Sequence, residues 1–344
     1  MTRALALFSG GLDSILACRV LMAQGIDVVA LRFITPFFAA DVGDAERYQA
    51  EMRAKYGIGV QVRDVSREFM AVLRHPAHGF GHNFNPCIDC RIFMLRTARA
   101  LLAEYGAAFL ATGEVLGQRP MSQRRDAMGI IERDSGCGGL LVRPLCAQLL
   151  PATRAEQEGL VDRLRLLRLS GRGRAEQKRL AALFGIRDYP APAGGCLLTD
   201  VNLGPRFRRF APGIFGLPDV AAQVDSFRLL LTGRHFEPAP GLWLVLGRNQ
   251  QDNERILALR APGDWLLTTV DRPGPLGLLR SLGGEMGAAG KGGLAGIAAG
   301  LLLRYARKVD GRAAPGVVRL ESETDLREGR FAPLGEAALE ALMV

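Results

Sequence analysis

No run in the 344 residues is long and apolar enough to cross a bilayer: the most membrane-like stretch, GGLAGIAAGLLL from Gly292 to Leu303, is far short of the roughly 18 residues a span needs. A secretory signal is missing too, because the N-terminal apolar residues are interrupted at once by Ser-Gly-Gly-Leu-Asp-Ser and no cleavage-like site follows. A cytoplasmic address and no membrane partner are the expectation. In such a reducing compartment the six cysteines, at 18, 87, 90, 137, 146 and 196, are thiols or ligands rather than disulfides. The chain has no fixed-period repeat. The Gly-Lys-[Ser/Thr] ending of a Walker A loop is absent after Gly11. The third glycine of a dinucleotide fingerprint would fall at Ser14, which excludes that motif as well.

The composition, 23% charged and 48% hydrophobic, is that of a globular protein, and the length suffices for two domains with their own cores. A net charge of +9 favours a polyanionic partner such as RNA.

The first informative stretch is LALFSGGLDSILACRVL, Leu5 to Leu21. A short β-compatible apolar run precedes the two glycines, and Ile15, Leu16, Cys18, Val20 and Leu21 follow with helical spacing. A helix N-terminus reached through a tight glycine loop offers unpaired N–H groups and a positive dipole end, both suited to phosphate. Gly10 and Gly11 let the backbone approach an anion, Ser9 and Ser14 add hydroxyls, and Asp13 places a carboxylate where a phosphate-bridging Mg2+ would want one. The simpler alternative is a strand-to-helix turn with Asp13 or Ser14 as a cap.

Up to about residue 200 strand-like runs (ALALF, DVVALRF, GVQVRDV, AAFLATGE) alternate with helical ones such as Glu46–Tyr56 and Ile92–Tyr105. This predicts an α/β fold, a doubly wound parallel sheet covered on both faces. Ligands of such sheets bind at the carboxyl ends of the strands, where Ser9, Phe33 and Thr112 fall. Beyond residue 200 a Pro- and Gly-rich basic stretch leads to a second set of strands (GLWLVLG, DWLLTTVD, GVVRLES) and a helix near Ile297–Arg307. The expected domains are 1–210 and a smaller α+β domain, 211–344.

Cys87 and Cys90 stand at C-x-x-C spacing before a helix, and Cys196 follows far downstream in a Gly-Gly-Cys loop. A helix start and the neighbouring Arg91 are expected to favour thiolates. Three thiolates can hold a [4Fe-4S] cluster with one open iron; alternatively Cys87 and Cys196 act as persulfide carrier and resolving partner. Zinc would require a fourth ligand, for which His82 is near in sequence. Cys18 reads as core, and Cys137 and Cys146 carry no spacing signal.

SGGLDS resembles the PP-loop of the ATP pyrophosphatase family, and the ordered series SGGLDS, NPCIDC, LATGEVLGQRPMSQ, LVRPL and GGCLLTD resembles its tRNA thiolation branch, the 4-thiouridine synthetases and the cluster-dependent tRNA 2-thiouridine enzymes. The resemblance implies ATP and Mg2+ at Ser9, Gly10, Gly11, Asp13 and Ser14, with adenine bordered by Phe33, and Thr112, Gly113 and the segment Arg143–Leu145 lining the site. It further implies sulfur delivery by Cys87, Cys90 and Cys196, through a [4Fe-4S] cluster or a persulfide, to an adenylated uridine. A sulfur donor, either a cysteine desulfurase or sulfide, is then required. A homodimer is left open. The ferredoxin-like and THUMP domains of typical 4-thiouridine synthetases and an appended rhodanese domain are not found in this sequence, so RNA must be gripped by other means.

The C-terminal part, from LWLVLGRNQQDNERIL to APGVVRL, resembles the NFACT-R domain, a module associated with RNA binding. Arg248, Arg272 and Arg280 are its candidate phosphate contacts, and Trp265 either stacks on a base or anchors a core. Arg172 and Arg174, in the arginine-rich run from Arg163 to Arg179, are candidates for an RNA-tracking helix. Two other readings remain at this level: a PP-loop enzyme acting on a small nucleobase precursor, and a non-catalytic RNA-binding protein with a vestigial loop.

Overall fold

The computed structural model describes residues 1–38, 42–191, 195–283 and 293–344 and divides into two compact units, Met1–Thr199 and Asp200–Val344. The first unit runs β1 (Arg3–Leu7), α1 (Leu12–Met22), β2 (Asp27–Ile34), α2 (Ala45–Tyr56), β3 (Gly59–Asp64), α3 (Ser66–Arg74), α4 (Cys87–Ala100), β4 (Phe109–Thr112), α5 (Arg125–Ser135), β5 (Leu141–Val142), α6 (Arg154–Gln157) and α7 (Ala175–Leu183). Its five strands are all parallel in the order β3-β2-β1-β4-β5. The expected doubly wound sheet is therefore what the chain forms.

Strand alternation sorts the core into two layers. Ala4, Ala6 and Phe8 of the first strand and its exit pack under α1 with Ile15, Leu16 and Ala181, whereas Leu5 and Leu7 face α4 with Leu31, Leu95 and Ala98. From β1 the chain steps outward to β2 and β3 on one side, and β4 and β5 lie on the other. This reversal at β1 opens a crevice above its carboxyl end, between the exits of β1 and β4, where ligands of open α/β sheets bind.

The second unit runs α8 (Gly204–Phe215), α9 (Val220–Leu230), β6 (Arg234–Ala239), β7 (Leu242–Leu246), α10 (Gln250–Ala258), β8 (Trp265–Thr269), β9 (Gly277–Ser281), α11 (Gly293–Tyr305), β10 (Gly316–Glu321), β11 (Leu326–Phe331) and α12 (Glu336–Leu342). Its strands form an antiparallel sheet in the order β11-β10-β8-β9-β7-β6. The apolar run noted in the sequence becomes α11, whose Leu294, Ala298, Leu301 and Leu302 bury against Leu244, Leu267 and Val318. Its hydrophobicity thus serves a sheet-covering core helix. Among the described residues no helix is long and apolar enough to cross a membrane.

Candidate nucleotide and sulfur site

At the exit of β1 the chain passes through the Gly10–Gly11 turn into α1. Gly10 takes a left-handed φ of 74°, which turns the chain tightly into α1. No side chain caps that helix: its N-cap is Gly11, so the first-turn N–H groups are not consumed by a cap. The two hydroxyls are instead tied together, Ser14 Oγ donating to Gly11 O at 2.8 Å and Ser9 Oγ lying 3.2 Å from Ser14 Oγ.

The second wall of the crevice is the exit of β4. A Cβ on Gly113 would lie 2.6 Å from the carbonyl carbon and oxygen of Asp13 and from Ser14 N, so only glycine lets this strand end close on the loop. Thr112 is buried and its hydroxyl donates to Glu114 Oε2 at 3.1 Å, which commits it to structure.

Asp13 is the focus of a polar network. Its Oδ2 accepts from Gln118 Nε2 at 2.7 Å and lies 3.7 Å from Arg174 Nη2, while its buried Oδ1 has no hydrogen-bond partner among the described residues. A carboxylate with one fixed oxygen and one unsatisfied oxygen beside a phosphate cradle fits a divalent cation. Arg174 was expected on an RNA-tracking helix. That expectation is corrected: the run from Arg163 to Arg179 is broken into a short 3-10 turn and α7, Arg163 is spent on Glu156, Arg165 donates to Ala23 O, and Arg174 turns to the nucleotide loop. Arg172 is exposed.

Phe33 is likewise corrected as a border of adenine. It is 5% exposed in the α4-side core with Leu7 and Leu95. Its neighbour Arg32 occupies the loop side, with Nη1 3.1 Å from where a Gly10 Cβ would stand and its guanidinium 5.5 Å from the Tyr48 ring centroid. Period-two alternation in β2 could have indicated this, since residues 32 and 33 must face opposite sides.

The cysteine segments are brought together by two ties between distant parts of the chain: Asn83 Nδ2 donates to Thr199 O at 2.7 Å and Phe84 N to Leu198 O at 3.2 Å. Cys87 Sγ accepts from the buried Asn85 amide at 3.1 Å. The expected thiolate character is not found at Cys90, because burial pushes its thiol up to about 12 against the lowering by Arg91, and Cys196 and Cys87 raise it further. Burial also pushes Cys196 up. Among the described residues no three His, Cys, Asp or Glu side chains are grouped to hold a single metal ion, while Cys87 and Cys196 both lie near enough to Cys90 to act on its thiol. His82 is exposed, and Cys18, Cys137 and Cys146 are buried in the core.

A buried ion chain joins the cysteine helix to the sheet, and spacing alone gave no sign of it. Glu114 Oε1 meets Arg91 Nε at 3.1 Å, Glu114 Oε2 accepts from Arg143 Nε at 2.9 Å, and Arg143 Nη1 donates to Glu132 at 2.8 Å. Burial acts to raise the Glu114 carboxyl, but the two guanidiniums and its hydrogen bonds hold it below the ordinary value.

In the second unit two RNA expectations are corrected. Arg280 is 4% exposed and its guanidinium is consumed by Asp264, Ser226 Oγ and Leu259 O, which makes it a core tie. Arg272 is nearly buried and donates to the carbonyls of Ala314 and Pro315. Arg248 keeps about half its surface while pairing with Asp252 at 2.6 Å. Trp265 is half-buried under the Arg327 guanidinium, 5.1 Å from its centroid; the core tryptophan is Trp243, whose Nε1 donates to His235 Nδ1 at 3.0 Å.

Comparison with known proteins matches residues 1–148 to the family "Thiamine biosynthesis protein (ThiI)" and residues 233–337 to the "NFACT protein RNA binding domain". The chain is 26% identical over 196 residues to a "Probable tRNA sulfurtransferase" of Methanothermobacter thermautotrophicus, covering 56% of this chain and 43% of that protein. It is 35% identical over 122 residues to the "tRNA-specific 2-thiouridylase MnmA" of Nitratidesulfovibrio vulgaris, covering 32% and 34%. It thus spans less than half the length of either relative. A solved 4-thiouridine synthetase–RNA complex with bound ATP aligns at 17% identity and a TM-score of 0.35, over 67% of this chain and 52% of that one. The chain is thus similar over residues 1–148 to the ThiI family and over residues 233–337 to the NFACT RNA binding domain.

Proposed function

We propose that this protein is an ATP-dependent tRNA sulfurtransferase that adenylates a uridine carbonyl oxygen and replaces it with sulfur. The observation that carries the reading is that the exit of β4 meets both parts of the site: Gly113 closes on the loop at Asp13 and Ser14, and Glu114 pairs with Arg91 on the helix of Cys87 and Cys90. The ThiI and NFACT-R matches and the likeness to a tRNA sulfurtransferase support it.

The chemistry requires that an oxygen, a poor leaving group, first be activated. The uridine carbonyl oxygen attacks the α-phosphorus of ATP, the bond to pyrophosphate breaks, and pyrophosphate departs into the Gly10–Gly11 cradle at the start of α1. The α1 amides, Ser9, Ser14 and Arg174 meet the charge that develops there, and Asp13 would hold Mg2+, which neutralises phosphate charge when bound. A sulfur nucleophile then adds to the activated carbon and AMP leaves with the oxygen.

For that second step the arrangement supports persulfide delivery. A terminal sulfur carried on Cys87 attacks the carbon, and the thiolate of Cys196 then attacks the Cys87 sulfur, leaving sulfur on the base and a Cys87–Cys196 disulfide for an external thiol to reduce. The terminal sulfur comes from the persulfide of a cysteine desulfurase: the Cys87 thiolate attacks its outer sulfur and the desulfurase cysteine leaves as a thiolate, whereas sulfide, already fully reduced, would serve only as a direct nucleophile on the activated carbon. A [4Fe-4S] cluster, which Cys87, Cys90 and Cys196 would hold, is the other route of this chemistry.

Two assays test the reading. Anaerobically purified protein, unmodified tRNA, Mg2+-ATP, a cysteine desulfurase with cysteine, and a reducing thiol should yield a thiolated uridine by nucleoside mass spectrometry, lost in Cys87→Ala and Cys196→Ala. ATP turnover that proceeds without RNA and leaves it unthiolated would overturn the proposal in favour of a small substrate. Iron and acid-labile sulfide of the same preparation decide the route, since about four irons lost in each single cysteine variant would establish the cluster.

A further inference from the structure

Asp13 does not hold its orientation alone. Gln118 Nε2 donates to Asp13 Oδ2 at 2.7 Å, which turns Gln118 Oε1 away from the carboxylate, and that oxygen accepts from Gln177 Nε2 at 3.1 Å. The chain has a single direction: a carboxylate can only accept, so each amide must present its NH2 toward Asp13 and its oxygen away from it. Gln177 is 2% exposed on α7 and shares its buried face with Ala181, four residues on, in the core beneath α1. A buried glutamine amide is costly unless bonded, so this side chain is explained by the bond it makes.

We infer that Gln177 is a positioning residue for the nucleotide site. Acting through Gln118, it pins Asp13 Oδ2 and so fixes the rotamer of the carboxylate, whose buried Oδ1 has no partner among the described residues. The inference rests on the reading of Asp13 as the Mg2+ carboxylate and adds how its geometry is fixed. Without the relay Gln118 is free to rotate its amide, Asp13 samples further rotamers, and Arg174 Nη2, already 3.7 Å from Oδ2, can close on the carboxylate in place of the cation. The loss falls on Mg2+-dependent binding of nucleotide rather than on folding.

The test uses the full chain and calorimetric binding of a non-hydrolysable ATP analogue as Mg2+ is varied, without RNA. Gln177→Leu keeps the side-chain volume but loses the donor, and is expected to raise the Mg2+ concentration for half-maximal nucleotide binding by about fivefold to tenfold. Gln177→Glu adds a charge that cannot donate to Gln118 and should raise it further. Gln118→Leu, at a half-buried position, should match Gln177→Leu. Unfolding of each variant without ligand is the control: a stable Gln118→Leu with the shifted Mg2+ dependence supports the relay even where Gln177→Leu folds poorly. Unchanged Mg2+ dependence in stable Gln177→Leu and Gln118→Leu, with Asp13→Asn strongly impaired, overturns the relay and leaves the site standing. Unchanged dependence in Asp13→Asn overturns both.

Discussion

The close approach of β4 to the nucleotide loop makes Gly113→Ala a sharp perturbation. Its methyl would stand 2.6 Å from Asp13 C, Asp13 O and Ser14 N, where ordinary contact begins at 3.4 Å, a shortfall of about 0.8 Å. The opposing atoms are backbone of the first turn of α1, so no side chain can rotate away. That helix cannot retreat either, since Ile15, Leu16 and Leu21 are fully buried against the sheet. Overpacking of this kind costs about 1–3 kcal/mol. The same displacement moves Asp13 and Ser14 by a good part of an ångström, and misplacements near 1 Å cost about 100-fold in rate. The expected outcome is a loss of about 2 kcal/mol in urea unfolding of the first unit and a fall of about 10- to 100-fold in ATP- and RNA-dependent AMP release. Gly129→Ala in α5, with nothing within 4 Å of the new methyl, is the control and should be neutral or slightly stabilising. A Gly113→Ala protein with wild-type stability and AMP release would refute the claim that this glycine sets the loop.

Three further outcomes follow from the same geometry. Glu114→Gln leaves Arg143 buried with Glu132 alone and should cost about 3 kcal/mol by denaturant titration, whereas a loss under 1 kcal/mol would contradict the ion chain. Because Glu114 is held below its ordinary value, its contribution is present above the ordinary value of 4.5 and lost as pH falls through the depressed one; the pH dependence of unfolding should show this acid loss in wild type and not in Glu114→Gln. His235, fully buried and bonded to Trp243, has its proton affinity pushed well down by burial, with Arg206 adding to the effect. The unfolded chain then binds a proton the folded one does not, so stability of the second unit should decline as pH falls below about 6.5, and a profile flat from pH 7 to 5 would be inconsistent. With its thiol pushed up to about 12, Cys90 should be alkylated by iodoacetamide at pH 8 far more slowly than a free cysteine, and labelling at the free-thiol rate would contradict the raised thiol.

The sheet and the loop were legible because their signals are local: alternating strand and helix runs, and two glycines between an apolar strand and an apolar helix. The partners of that loop were not, because Gln118, Arg174 and Gln177 reach Asp13 only through tertiary packing across 105 to 164 positions of sequence. Phe33 was misplaced for want of strand parity, and Arg280 because an arginine in a strand looks the same in sequence whether it meets a phosphate or Asp264. The C-x-x-C at a helix start suggested thiolates, and desolvation outweighed the dipole and Arg91 at Cys90. The long apolar run, short of a span, became the core helix α11.

In the proposed reaction the uridine carbonyl oxygen itself is adenylated before sulfur replaces it. The most direct measurement is single-turnover thiolation of an RNA whose uridine carbonyl oxygens carry oxygen-18, with mass analysis of the released AMP. One labelled oxygen in AMP is expected for each sulfur installed, with pyrophosphate unlabelled. Unlabelled AMP alongside thiolated RNA would contradict it.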